Sequence, residues 1–414
     1  MKDAFRFDKS QELWAEAQKY IPGGSQGTRQ PEYPEYPIFF DRAKGCRMWD
    51  VDGNEYIDFL CSIGPVLLGY AYDPVDDAVR EIMQTSFQSS MNHPVLIDVA
   101  RLLTEMIPCA EGVRFMKTGT EATLLAVRLA RHITERMHIA RHGYHGWADI
   151  FVKHWNLPGA DKDASDKVHE FDGTAEGLER LFAQSKEKFA AVILCPADAR
   201  PFTRENYQGI IDVAHEHGAL AIFDEIKSGF RIAPGGAQEY LGVTPDLTTL
   251  SKGIANGYPL SAIVGKKQYM DDMPKAGIAG TFSVEGLSLA AARATLTEIK
   301  TKNVVEHIHA VGQRFIDGLN EICARHGRSE SRAYADPVPS MPRLAWREGS
   351  VVAGIQHIPD EDCDYFFSEL YRYGLFFSKW HVGFVNYSHQ DKDIDEALEI
   401  CDFAMARTRA KYQS

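Results

Sequence analysis

Ala219-Leu220-Ala221-Ile222-Phe223-Asp224-Glu225 is an unbroken apolar run that ends in two carboxylates. Five apolar residues without polar alternation suit a strand buried on both faces. Gly218 precedes the run and ends a helical pattern over 206–217. The same pattern recurs on either side. Ala190-Ala191-Val192-Ile193-Leu194-Cys195 reads as a second buried strand, and Ser261-Ala262-Ile263-Val264-Gly265 as a third. Val113-Arg114-Phe115-Met116 is a shorter one, followed by a helical pattern over 120–136. Apolar strands alternating with helices predict an α/β fold, with a large domain whose mostly parallel central sheet is covered by helices.

The flanks read differently. Residues 8–20 form an amphipathic helix stopped by Pro22-Gly23-Gly24, and a Pro-rich arm runs from Ser25 to Pro37. Such an arm either crosses to another subunit or lies on the surface. Residues 46–60 alternate around Asp52-Gly53-Asn54, which predicts a hairpin. Two helical patterns over 74–107 meet at Asn92-His93-Pro94. After about 290 come two long helices, a Pro-rich break at 337–342 and a terminal strand and helix. The expected organisation is therefore 1–70, an N-terminal helix, arm and hairpin; 71–290, the large domain; and 291–414, a smaller α+β domain.

Composition excludes several classes of function. The net charge of −13 leaves no basic footprint for nucleic acid. No apolar run approaches the roughly 20 residues of a membrane span, and the first residues lack a secretory apolar core. Seven scattered cysteines form no Cys-x-x-Cys pair, so a reducing cytoplasm is the expected setting. His215 and His217 stand two apart on a helix, on different faces, so no metal site is expected. A dinucleotide glycine loop, a Walker A loop and a Gly-x-Ser-x-Gly elbow are all missing.

What remains is a set of polar residues at strand ends. Lys252 lies 28 residues beyond Asp224, in Leu250-Ser251-Lys252-Gly253-Ile254-Ala255-Asn256-Gly257. A lysine among small residues can present its amine to a cavity, although a solvated lysine is the plainer reading. Asp224 sits where a buried strand delivers a carboxylate to a sheet edge. It equally reads as a helix cap, and Glu225 as the functional acid. Lys117-Thr118-Gly119-Thr120-Glu121 follows a strand and opens a helix, whose free N–H groups suit a phosphate. Thr118 or Thr120 as an ordinary N-cap competes with that reading. Gly143-Tyr144-His145-Gly146-Trp147 offers an aromatic for stacking, with a structural role for His145 as the plainer alternative. In this order, the four features suit a pyridoxal phosphate (PLP) site. A lysine there forms a Schiff base with the aldehyde, and an aspartate keeps the pyridinium nitrogen protonated.

At these residues the chain resembles the class III aminotransferases of PLP fold type I, and within them glutamate-1-semialdehyde 2,1-aminomutase. Matching segments include Trp49-Asp50-Val51-Asp52-Gly53, Thr118-Gly119-Thr120-Glu121-Ala122-Thr123, Tyr144-His145-Gly146, Phe223-Asp224-Glu225-Ile226, Gly242-Val243-Thr244-Pro245-Asp246-Leu247 and Gly280-Thr281-Phe282-Ser283. The resemblance implies Lys252 as the Schiff-base lysine and Asp224 as the partner of the pyridinium nitrogen. Tyr144 would stack on one ring face and Ile226 cover the other. Gly119 and Thr120 would hold the phosphate, joined by Thr281 from a second subunit, which implies a homodimer with shared sites. Arg29 lies near the place of a substrate-carboxylate arginine.

The substrate end departs from the aminomutase. Ile63 replaces a typical Trp, Cys195-Pro196 replaces Glu-Pro, and His381 falls near a usual Glu in a shortened segment. Aminotransferase, passing an amino group from an amino donor to a carbonyl acceptor by a ping-pong mechanism, is therefore preferred over intramolecular aminomutase. A PLP-fold binding subunit without turnover is the remote alternative.

Overall fold

The alternation around Asp52-Gly53-Asn54 folds as the sequence predicts. The computed structural model describes residues 4–25, 38–85, 87–152, 158–349, 351–352, 355–356 and 360–412. In it, β1 (Phe40–Lys44), β2 (Arg47–Asp50) and β3 (Glu55–Asp58) form an antiparallel meander, to which the short strand Leu375–Phe376 adds parallel to β3. Gly53 has φ 87°, the left-handed region that the turn requires. Asp50 ties the turn by accepting from Asp52 N, Asn54 N and the Tyr56 hydroxyl at 3.0, 2.8 and 2.9 Å. Helix α1 (Asp8–Ala17) starts on Asp52, which accepts from Lys9 N and Ser10 N. These elements belong to the smaller of two units, Met1–Ile63 with Leu68–Tyr72 and Glu306–Ser414. Its aromatic core includes Phe59, Phe315 and Phe377, with the first two rings 4.4 Å apart. The Pro-rich arm from residue 26 on, Arg29 included, lies outside the described residues.

The larger unit, Gly64–Leu67 with Asp73–Val305, holds the central sheet. After α2 (Asp73–Met83) and α3 (Val95–Met106) come β4 (Gly112–Met116), α4 (Gly119–Thr134), β5 (His138–His142), β6 (Val168–Glu170), β7 (Phe189–Leu194), β8 (Leu220–Asp224), β9 (Leu247–Leu250) and β10 (Ser261–Gly265). The strand order is β4-β10-β9-β8-β7-β5-β6. β10 runs antiparallel to both neighbours, and every other pairing is parallel. All residues of β7, β8, β9 and β10 are buried, so both faces of the sheet are covered. Each buried Val, Ile or Leu there contributes about 1.5–3 kcal/mol. α4 lays Ala122, Ala126, Leu129 and Ala130 against the sheet.

Three strands escaped the hydrophobic pattern. β9 carries Thr248 and Thr249, and β5 carries Arg141 between two histidines. Their polar atoms find partners: Arg141 pairs with the exposed Glu170, and Thr249 donates to Asp224. β6, with only three residues, is too short for a pattern to show. The domain division also differs from the expected boundary at 291, since the larger unit runs to Val305. The helix Gly286–Thr301 stays with it because it packs on α2 and α3. Gly286 N donates to Phe87 O at 2.7 Å, and Lys300 pairs with Glu105. Among the described residues no helix is long and apolar enough to cross a membrane.

Candidate active site

Reversal of β10 between β4 and β9 leaves the carboxyl ends of β4, β9, β8, β7 and β5 on one edge of the sheet. Ligands of open α/β sheets bind outside such an edge. The chain there delivers Thr118-Gly119-Thr120 after β4, Lys252 after β9, Asp224 at the end of β8, Cys195 after β7 and Tyr144-His145 after β5. Five segments singled out in the sequence thus converge on one place.

Asp224 is 2% exposed and held at both oxygens. Oδ1 accepts from Thr249 Oγ1 and Ile226 N, each at 3.2 Å. Oδ2 meets His145 Nδ1 at 2.7 Å. His145 Nε2 lies 3.1 Å from the carbonyl of His142. His145 is itself fixed, because Thr123 donates its hydroxyl to the His145 carbonyl at 2.8 Å. The aspartate therefore has one orientation. Glu225 turns away. It accepts from Ala237 N, Gln238 N and Ser228 Oγ at 2.7, 3.2 and 2.9 Å and anchors the start of the helix Gly236–Leu241. Burial raises its carboxyl above the ordinary range.

Lys252 opens a short turn in the left-handed region, with φ 47°. Ser251 donates to Leu260 O at 2.8 Å and pins the entry to that turn. Burial, and then the charge of Lys227, push the Lys252 amine down from 10.5 to about 8.

Thr118 is the N-cap of α4. Its Oγ accepts from Glu121 N at 3.3 Å, while Thr118 N donates to Glu121 Oε2 at 2.7 Å in a reciprocal capping box. The capping reading holds for Thr118. Gly119 and Thr120 follow it in the first turn. A Cβ on Gly119 would stand 2.7 Å from Ile226 Cδ1, so this glycine lets the Ile226 side chain close against the helix start. Gly146 has φ 108°, and a Cβ there would stand 2.4 Å from Thr120 Oγ1. The two glycines bring Ile226, Thr120 and the 143–147 loop into one cradle. Tyr144 is 53% exposed, and burial of part of its ring, followed by the Asp224 charge, raises its phenol.

Thr281 is exposed, and its carbonyl accepts from Gln88 Nε2 at 3.0 Å. Ile63 and His381 belong to the smaller unit. Ile63 is 49% exposed at φ 66°, and His381 Nδ1 lies 2.9 Å from Val382 O. Sequence reasoning missed Thr249 and the ion pair between Lys227 and Asp198. Thr249 was findable only through the register Asp224↔Thr249.

A family model described as aminotransferase class-III matches residues 28–332. The chain is 33% identical to a 3-aminobutyryl-CoA aminotransferase of Cloacimonas acidaminovorans, over 99% of both chains. It is 35% identical to a glutamate-1-semialdehyde 2,1-aminomutase of Desulforudis audaxviator, over 97% of this chain and 98% of that one. Among solved structures it is similar to the PLP internal aldimine form of the FumI protein of Sphingopyxis sp. MTA144, with TM-score 0.89, 27% identity and 98% of each chain covered. An omega-transaminase from Sphaerobacter thermophilus gives TM-score 0.87 and 25% identity, over 97% of this chain and 98% of that one.

Proposed function

The chain belongs to the class III aminotransferases, with the PLP fold type I, and from that premise we propose that its sheet edge moves an amino group from an amino donor to a carbonyl acceptor. The cofactor is PLP, and the residues fit it. Gly119 and Gly146 leave a cradle that a Cβ would fill, beside a helix start, a buried carboxylate and a lysine with a lowered proton affinity. PLP supplies an aldehyde that condenses with amines and a ring that takes up electrons.

The chain supplies the rest. The Lys252 amine would hold the aldehyde carbon, and when free it would take the substrate α-proton and return it. At about 8, roughly half of it is uncharged one unit above neutrality. Asp224, oriented by Thr249 and His145, would partner the ring nitrogen. Tyr144 would cover one ring face and Ile226 the other. Gly119 and Thr120 would take the phosphate on the first turn of α4, with the Thr118 capping box holding that turn in place.

We place Thr281 of a second subunit at the same phosphate, which makes the enzyme a homodimer. Its exposure is in keeping with that role. The seven cysteines, none in a disulfide, are in keeping with a cytoplasmic setting. Arg29, Ile63 and His381 remain our candidates for the substrate end.

One observation carries the reading: Asp224 ends β8 in register with Thr249 of the parallel strand β9, and the turn just after β9 opens on Lys252. Lys252→Ala tests it. The variant should lose the covalent lysine–cofactor link, read by borohydride reduction and peptide mass, and lose amino transfer. Normal transfer without Lys252 would defeat the reading. A β-amino acyl thioester, of the kind in the name of the Cloacimonas relative, heads the donor screen. The 35% identity to an aminomutase supports intramolecular transfer as a second reading. Conversion of glutamate 1-semialdehyde alone to 5-aminolevulinate would establish it.

A further inference from the structure

Lys227 is a second lysine at the same edge, and the register explains why. Asp224 pairs with Thr249 across β8 and β9. Lys227 stands three residues beyond Asp224, and Lys252 three residues beyond Thr249. Both lysines thus stand the same number of residues beyond one registered pair. The turns that carry them also touch: a Cβ on Gly253 would stand 3.6 Å from the Gly229 carbonyl. On its other side, Lys227 is held by Asp198, which follows β7. The Lys227 side chain is 17% exposed.

Asp198 is built into this place. Its backbone N donates to Cys195 O at 2.9 Å, and Cys195 is buried. The glycine that opens the Tyr144 loop closes over it, since a Cβ on Gly143 would stand 3.3 Å from Asp198 Oδ2. Burial raises the Asp198 carboxyl, but the Lys227 ammonium outweighs it and holds the group below the usual carboxylate range. Asp198 thus stays charged and fixes the Lys227 ammonium at this edge.

We propose that Lys227, pinned by Asp198, is a positioning residue for Lys252, its fixed positive charge making a second ammonium at the same edge unfavourable. The inference rests on reading Lys252 as the cofactor lysine. The charged and titratable groups facing Lys252 are Lys227 and Asp198 from the turns after β8 and β7, Asp224 from β8, and the Cys195 thiol. His145 and Tyr144 act on it through Asp224, and His142 through Asp198. Lys227 opposes the proton, while Cys195, Asp224 and Asp198 favour it. Burial acts in the same sense as Lys227, and the two together prevail. The consequence is an amine ready to condense with an aldehyde and then to accept a substrate proton, without a separate base to unload it.

The test is the pH profile of Lys252 modification by trinitrobenzenesulfonate in the full-length chain freed of cofactor, read by peptide mass. Lys227→Met and Lys227→Gln should each raise the midpoint by about one pH unit. Lys227→Arg keeps the charge and should leave the midpoint within a few tenths of a unit. Unchanged midpoints in folded Lys227→Met and Lys227→Gln would overturn the inference. An equal rise in Lys227→Arg would do so too, since it would mark a packing effect rather than a charge effect. If wild-type Lys252 never links to the cofactor, the functional reading fails instead. A normal link with an unmoved midpoint fails only this inference.

Discussion

His145 Nδ1 and Asp224 Oδ2 meet at 2.7 Å with both side chains withdrawn from solvent. A buried carboxylate with one oxygen on an imidazole and the other on Thr249 and Ile226 N has no freedom to turn. Glu225, its neighbour in sequence, is equally buried but spends its charge on the start of another helix. The pair of acids therefore separates into one that faces the sheet edge and one that holds the fold.

Asp224→Asn and Glu225→Gln should separate accordingly. Asp224→Asn keeps the shape and loses the charge, and amino transfer should fall by about 10²–10⁴-fold with the folded chain intact. Glu225→Gln weakens hydrogen bonds to buried N–H groups and should cost about 1–3 kcal/mol of stability, with a much smaller change in turnover. Thermal melts and single-turnover rates on both variants check this. The opposite assignment of effects would make Glu225 the functional acid.

Gly146→Ala places a methyl 2.4 Å from Thr120 Oγ1 at a backbone φ of 108°. The variant should lose about 1–3 kcal/mol of stability from backbone strain. It should also bind PLP about tenfold more weakly, because Thr120 must move. Equilibrium dialysis reads the affinity. Wild-type affinity in the variant would remove Thr120 from the phosphate site.

Asp58 predicts a pH effect in the smaller unit. Burial raises its carboxyl from 3.8 to about 6, although Tyr70, Leu60 N and Cys61 N all donate to it. A folded value above the unfolded one means that the native state binds more protons between about pH 4 and 6. Stability is thus lost as pH rises through that window. Relative to Asp58→Asn, the wild type should lose about 2–3 kcal/mol from pH 4 to 6. Calorimetric melts across the window measure the difference. A flat or rising difference would contradict it.

A mixed dimer tests the shared site. Lys252→Ala and Thr281→Glu should each be nearly inactive alone. After subunit exchange at equal amounts, half the dimers are mixed, and each has one intact site if Thr281 reaches across. About a quarter of wild-type activity should return. No recovery on verified exchange would confine Thr281 to its own subunit.

The buried strands of the larger unit were legible because burial on both faces demands uniform apolarity, and β7 and β8 meet that demand residue by residue. β9 was not, because Thr248 and Thr249 look polar until partners are known. Thr248 accepts from Gln238 at 3.0 Å and Thr249 donates to Asp224. Thr118 read as either phosphate ligand or cap, and only the position of Glu121 shows the cap. Lys227 drew no attention, since nothing local marks a lysine as the neighbour of another 25 residues away.

Residue type and order were enough for the alternating strands and helices, since apolarity is a local property, and for marking a lysine and an acid pair as candidates, since amine and carboxylate chemistry are local too. Pairing is not local. The choice between Asp224 and Glu225, the nearness of Lys227 to Lys252 and the cradle of Gly119 with Ile226 all come from segments brought together across the sheet. Hydrogen-bond register sets those distances, and no single segment encodes it.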